Sequence, residues 1–312
     1  MAIEDRILKG SVRRALDLIG DRWTLLILLS AFCGVQRFDE WKSLHGISPS
    51  ILSNRLKRLI ERGIFEQQPV EQGSRRQCYT LTKMGADLFD WALAVWSWER
   101  AWVYRDSEHP VRLVHKTCGQ SVSANFVCGH CSGRVGYYNI RIDRGPGYDA
   151  VPVAPSPGSR RTKSSDASSG GDTPHIGRFV DIIGDRWSFL IISAAYFGVT
   201  RFDDFQNQLD IATNILSDRL RRLADDGMLA RNRYREKPAR YEYILTEKNI
   251  AFYQVPLMLA LWGDKWLAVD EGAAFIRVHD HCGKNLTVKR LCDHCGDELR
   301  RSDIDLEFIE DE

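Results

Sequence analysis

Ile47-Ser-Pro-Ser-Ile-Leu-Ser-Asn-Arg-Leu-Lys-Arg-Leu59 is the stretch whose reading decides the fold. Ser48 can cap a first helical turn with its hydroxyl, and Pro49 suits the first helical position, where a missing N–H has no intrahelical partner. Leu52, Leu56, Leu59 and Ile60 recur at the spacing of a buried helical stripe, while Ser50, Asn54, Lys57 and Arg58 fall on the other side. The spacing predicts an amphipathic helix with a cationic, hydrogen-bonding outer face. Asn and Arg match the adenine and guanine edges in the DNA major groove, and Ser, Lys and a helix N-terminus suit phosphate. Taken alone, the same pattern is also that of a solvated basic face. The stretch, however, occurs twice: Ile211-Ala-Thr-Asn-Ile-Leu-Ser-Asp-Arg-Leu-Arg-Arg-Leu223 repeats its Ile-Leu-Ser, Arg-Leu and Arg-Leu elements at an offset of 164.

The same offset relates Ile19-Gly-Asp-Arg-Trp23 to Ile183-Gly-Asp-Arg-Trp187, Arg37-Phe-Asp39 to Arg201-Phe-Asp203, and Trp98 and Trp102 to Trp262 and Trp266. Two copies of about 140 residues are joined by Gly145 to Pro174, a Gly-, Pro- and Ser-rich run containing Arg160, Arg161 and Lys163. As a flexible coil of roughly 30 residues this linker spans on the order of 30 Å, close to the about 34–36 Å between successive major-groove half-sites. The expected division is a first winged domain with an association helix (1–104), a zinc ribbon (105–144), the linker (145–174), a second winged domain (175–268), and a second ribbon with an acidic tail (269–312). The fold class is mainly α with small β, an α+β chain of two winged helix-turn-helix domains, each followed by a long helix and a small zinc ribbon.

Within each copy Gly20 stops a short helix and Asp21 can cap the apolar helix from Trp23 to Phe32, a structural role for Ile-Gly-Asp-Arg-Trp. Arg22 and Arg186 are secondary candidates for phosphate. A short helix from Arg37 to Leu44 precedes the opening stretch, which is helix-turn-helix order. Ile64 to Glu66 and Gln77 to Leu81 read as a hairpin, a wing whose tip carries Arg75 and Arg76; in the second copy the tip runs from Tyr234 to Arg240, with Arg235, Lys237 and Arg240. The copies are unequal. Arg55, Lys57, Arg58 and Arg62 against Glu61 leave the first recognition helix at net +3, whereas Arg219, Arg221 and Arg222 against Asp218, Asp225 and Asp226 leave the second at 0. The wings reverse this, at net 0 for 66–80 and +3 for 230–244. Ser48, Ser50, Asn54, Lys57, Arg58, Arg75 and Arg76 are the candidate DNA contacts of the first copy, and Asn214, Asp218, Arg221, Arg222, Arg235, Lys237 and Arg240 those of the second. Asp218 in place of Asn54 implies a different base preference or a weaker contact. A long helix is expected from Lys83 to Tyr104, its aromatics forming a core, an association surface or an effector pocket, with its counterpart kinked at Pro256.

Six of the eight cysteines fall in two matched clusters. His115-Lys-Thr-Cys118 followed by Cys128-Gly-His-Cys131, and His279-Asp-His-Cys282 followed by Cys292-Asp-His-Cys295, have the form of paired knuckles. Three thiolates and one imidazole suit a closed tetrahedral zinc ion, giving two structural Zn2+ sites, one per ribbon. His130, His281 and His294 are alternative fourth ligands. Clustered cysteines of this kind point to a reducing compartment, and no apolar run is long enough to span a membrane. The start Met-Ala-Ile-Glu-Asp lacks the pattern of a signal peptide, so a soluble cytoplasmic protein is expected. The formal net charge of +1 neither supports nor excludes DNA, so any footprint must be local.

With these elements in order, each copy resembles the HxlR family of bacterial winged helix-turn-helix regulators, over about 10–104 and 174–268. The resemblance implies double-stranded DNA as partner, recognition helices paired in dimers, and control in many members by small molecules or oxidants. The pairing here would be an intrachain pseudo-dimer or a homodimer. Gly10 and Pro174 stand where some members carry an oxidant-sensing cysteine, and members usually hold one domain where this chain has two. The contrasting readings are a zinc-dependent nucleic-acid enzyme, disfavoured by ligand sets without an open position, and a protein-interaction module.

Overall fold

The computed structural model describes residues 3–70, 76–152, 178–183, 185–237 and 239–309. The first copy runs α1 (Ile3–Leu8), α2 (Ser11–Ile19), α3 (Arg22–Phe32), α4 (Phe38–His45), α5 (Pro49–Glu61), β1 (Phe65–Pro69), β2 (Gln77–Leu81), α6 (Lys83–Ala86) and α7 (Phe89–Trp102), then the ribbon strands β3 (Val111–His115), β4 (Gln120–Ser121), β5 (Ala124–Cys128) and β6 (Ile140–Arg144). The second repeats this as α8 (Arg178–Ile183), α9 (Arg186–Tyr196), α10 (Phe202–Leu209), α11 (Thr213–Asp225), β7 (Leu229–Arg235), β8 (Arg240–Leu245), α12 (Glu247–Phe252), α13 (Gln254–Trp266), β9 (Phe275–His279), β10 (Lys284–Asn285), β11 (Val288–Cys292) and β12 (Ile304–Phe308). The α+β class and the two winged copies are as the sequence indicates.

Each copy forms for local reasons. Asp21 accepts from the Thr24 amide at 3.3 Å and starts α3, whose Leu25, Ile27, Leu28 and Leu29 are buried. The turn between α4 and α5 needs a left-handed residue, supplied by Gly46 at φ +61°. In the second copy the residue there is Asp210 at φ +47°, a conformation that aspartate tolerates better than most side chains. Leu52, Leu56 and Leu59 are buried against the domain core, each contributing roughly 1.5–3 kcal/mol. β1 and β2 form the antiparallel wing.

Three expectations are corrected. The long helix is two, α6 and α7, separated at Asp87 and Leu88, and its counterpart is likewise divided into α12 and α13. Pro256 does not kink α13: it stands in the first turn, where its missing N–H breaks no helical bond. The linker begins later than Gly145, since Tyr148 and Val151 are buried against Phe275, and the Tyr148 hydroxyl donates to Asp5 at 2.8 Å. The expected linker from 153 to 174, with Arg160, Arg161 and Lys163, lies outside the described residues, as do Arg75 and the tail from 310 onward.

The two copies are packed together by contacts that repeat under the same offset of 164. Trp98 donates its indole N–H to the Lys248 carbonyl at 3.0 Å, and Trp262 donates to the Met84 carbonyl at 2.9 Å. Arg186 pairs with Asp17 at 2.6 Å and Arg22 with Asp181. β5 and β11 pair antiparallel with Phe126 opposite Arg290, its own counterpart, so an approximate twofold axis passes through that pair. β12 adds to β3, and β6 adds to β9, so each ribbon receives its last strand from the other copy.

Candidate nucleic-acid interface and metal centres

On α5 the side chains of Ser50, Asn54, Lys57 and Arg58 are exposed, opposite the buried leucines. Ser48, also exposed, caps the helix by accepting from the Ile51 amide at 3.4 Å. Lys57 is 3.9 Å from Glu61, a contact too long and too exposed to hold it away from another anion. Arg55 is different: it points back to Asp21 at 2.8 Å, the carboxylate that also caps α3. Its counterpart Arg219 pairs with Asp185 at 2.9 Å. Sequence reasoning missed this anchoring role, although recurrence of Arg55 as Arg219 was its signal. The conserved offset also explains Arg22 and Arg186, which are engaged by carboxylates of the opposite copy.

On α11, Asn214, Arg221 and Arg222 are exposed, but Asp218 gathers the cations. It lies 3.0 Å from both Arg221 and Arg222 and also pairs with Arg219. Burial alone would raise this carboxyl; the hydrogen bond from Arg221 and the charges of Arg222 and Arg219 hold it below the usual carboxylate range. Arg221 also meets Asp225 at 3.3 Å. The outer face of α11 is thus internally neutralised.

The wings compensate. Arg76 is exposed at the first wing. In the second, residues 231–237 are exposed; Arg231 stacks over Tyr241 at 3.6 Å from the ring centroid, and Arg240 is 3.7 Å from Asp203. Arg235 and Lys237 carry no carboxylate partner among the described residues. Between this wing and α11 runs a groove of about 560 Å3 lined by Arg201, Arg221, Arg231, Arg240 and Tyr234. Arg201 lies over the exposed Tyr234 ring at 5.0 Å, a rim contact not foreseen from the sequence.

The eight expected metal ligands converge, but in exchanged pairs. His115 and Cys118 meet Cys292 and Cys295, while His279 and Cys282 meet Cys128 and Cys131; in each set the ligand atoms all lie within 4.8 Å of one another. The expectation that each ribbon closes its own site is therefore corrected. The antiparallel pairing of β5 with β11 carries each second knuckle to the other copy's first. Sulfur–sulfur edges are 3.9 Å for Cys118–Cys292 and 3.8 Å for Cys128–Cys282. Sulfur to His Nδ1 edges are 3.5 and 3.4 Å at the first site and 3.3 and 3.6 Å at the second. A tetrahedron with zinc–sulfur bonds of about 2.3 Å and zinc–nitrogen bonds of about 2.0–2.1 Å has edges of roughly 3.5–3.8 Å, so donor set and spacing fit zinc. His115 and His279 are buried, whereas His130, His281 and His294 are exposed and outside both sets. The His279 Nε2 lies 3.2 Å from the Arg134 carbonyl, which fixes the ring with Nδ1 facing the thiols. Burial raises the Cys128 and Cys292 thiols, but backbone amides and neighbouring thiols outweigh it and hold both below the ordinary value.

Residues 18–107 and 182–271 each match the HxlR-like helix-turn-helix family. An uncharacterized HTH-type transcriptional regulator of Mycobacterium tuberculosis is 39% identical over 153 residues, covering 48% of this chain and 97% of that protein. The uncharacterized HTH-type transcriptional regulator YvaP of Bacillus subtilis is 32% identical over 95 residues, or 30% of this chain and 88% of the other. A solved structure of a candidate transcription factor from Pseudomonas aeruginosa is 32% identical, covers 39% of this chain and 83% of its own, and has a TM-score of 0.31. No helix among the described residues is long and apolar enough to cross a membrane. The chain belongs to the HxlR-like helix-turn-helix family, and carries its domain twice.

Proposed function

We propose that this protein is a non-enzymatic, sequence-specific transcriptional regulator in which one chain acts as an intrachain pseudo-dimer on double-stranded DNA. The outward presentation of Asn54, Lys57 and Arg58 on α5, opposite a buried leucine stripe, carries the reading. Asn54 and Arg58 would read base edges in one major groove while Ser48, Ser50, Lys57, Arg75 and Arg76 meet backbone. On the second half-site Asn214, Arg221 and Arg222 would make a weaker helix contact, with Asp218 organising the arginines and Arg235, Lys237 and Arg240 gripping phosphate. Packing of the copies about an approximate twofold axis supports a pair of half-sites on one duplex.

Zinc held by the two exchanged sets would supply structural cross-links between the copies. The ligand sets leave no position open for substrate, which favours bracing over catalysis. The test is selection of binding duplexes from a random pool, followed by fluorescence anisotropy across salt. A DNA reader gives an enriched sequence and log K falling by about 0.9 per phosphate contact per unit of log salt. A protein-interaction module enriches no sequence and sinks the proposal.

A further inference from the structure

A cavity of about 390 Å3 opens where α1 and α2 of the first copy meet α9 and α13 of the second. Its inner wall is a cluster of tyrosines, with ring centroids 5.4 Å apart for Tyr137 and Tyr196, 5.5 Å for Tyr137 and Tyr253, and 5.0 Å for Tyr196 and Tyr253. The offset of 164 locates the corresponding place in the first copy, where Phe32 and Phe89 stand for Tyr196 and Tyr253, and Arg301 for Tyr137. The framework is the same at both. The Tyr137 hydroxyl donates to the Tyr196 carbonyl at 3.1 Å, and the Arg301 guanidinium donates to the Phe32 carbonyl at 2.9 Å.

What fills the two places differs. In the first copy the buried indole of Trp96 packs edge-on against both Phe32 and Phe89, with centroids 6.4 Å from each. Its counterpart is Ala260, buried on α13 and lining the cavity. One copy thus carries a two-ring aromatic at the position where the other has only a methyl group lining space of the size ordinary for a small-molecule site. The lining also gains polarity: Leu113 and Leu29 of the first copy become Arg277 and Ser193. Arg277 is already paired with Asp264. Arg6 and Arg13 add two further guanidinium groups from the first copy, and the Arg6 Nε is buried without a hydrogen-bond partner among the described residues. Burial and the nearby Arg186 charge hold the Arg13 guanidinium below its ordinary value, with Asp17 acting in the opposite sense.

We infer that this cavity is a binding site for a small fused-ring aromatic carboxylate, whose rings take the place that Trp96 occupies in the other copy and whose carboxylate meets Arg6. The site is independent of the DNA reading, because ligand binding is measured without DNA.

The probe is indole-3-acetate, titrated into the full chain by calorimetry beside its neutral isostere indole-3-acetamide. The expected result is one molecule per chain with a dissociation constant of roughly 1 mM or tighter, the amide binding at least about tenfold more weakly. Ala260→Trp restores the indole and should abolish binding; the smaller Ala260→Met keeps the test valid where the larger substitution disturbs folding, and should weaken binding about tenfold or more. Arg6→Gln should narrow the difference between acid and amide. Absence of binding to the native chain, equal affinity for acid and amide, or unchanged affinity in both Ala260 variants overturns the inference.

Discussion

Asn54 of the first recognition helix and Asp218 of the second occupy equivalent positions, and the chain around them behaves differently for that one change. Asn54 is exposed and accepts from its neighbour Arg55 at 3.1 Å, and Lys57 and Arg58 are directed outward. Asp218 draws three arginines onto itself. The positive surface of the second copy lies instead on a longer wing, β7 and β8, beside the groove it shares with α11. The same kind of divergence separates Trp96 from Ala260. Duplication kept the framework of capping aspartates, buried leucines and reciprocal tryptophan bonds, and changed side chains on the outer face of the recognition helix, on the wing and at the cavity wall.

The comparison breaks most completely if the copies are independent rather than interlocked, and the metal sites decide that. Cys118→Ser with Cys128→Ser lies in one ribbon but touches both exchanged sites, so metal analysis should find no tightly held zinc. Cys118→Ser with Cys292→Ser touches one site and should leave one zinc per chain. Ribbons that close on themselves would give the opposite pattern. Losing both ions removes a contribution on the order of 10 kcal/mol per site, and thermal melts should show the ribbons unfolding early.

Next in size is the core contrast. Trp96→Ala should cost about 3–5 kcal/mol in chemical denaturation, because a buried indole leaves a cavity, whereas Ala260→Gly should cost about 1 kcal/mol. Comparable costs at the two positions would remove the distinction between a packed indole and a cavity-lining methyl group. Smaller again are the DNA contacts. Arg58→Ala should weaken binding to the selected duplex by about 1–3 kcal/mol and relax base preference. Arg222→Ala should lose less, its charge being already met by Asp218 at 3.0 Å. The smallest effect is Asp218→Asn, which frees the arginines of α11 and should tighten binding at low salt by roughly threefold, a gain that fades as salt rises. Equal losses for Arg58→Ala and Arg222→Ala would show that the two helices work alike.

Much of this was legible in the sequence because it is periodic or repeated. The leucine stripe of α5, the Ser48 cap, the wing strands and the eight residues of the two Cys3His clusters all follow from local spacing. What escaped depends on the third dimension. Spacing along the chain pairs each knuckle with its nearest neighbour, and only the pairing of β5 with β11 carries Cys292 and Cys295 to His115. Arg55 counts as surface charge in a helical projection, while its contact, Asp21, lies 34 residues away. The cavity beside Ala260 needs Trp96 and Ala260 to be placed in equivalent frameworks before the missing indole can be seen.

Hydroxyl-radical footprinting of the native chain on its selected duplex tests most directly whether both copies hold one DNA molecule. The account predicts two protected patches on one face, centred a whole number of helical turns apart, roughly 10 or 21 base pairs, with the patch belonging to the second copy thinned by Arg235→Ala and Lys237→Ala. A single patch that survives those wing substitutions, or no protection at all, contradicts it.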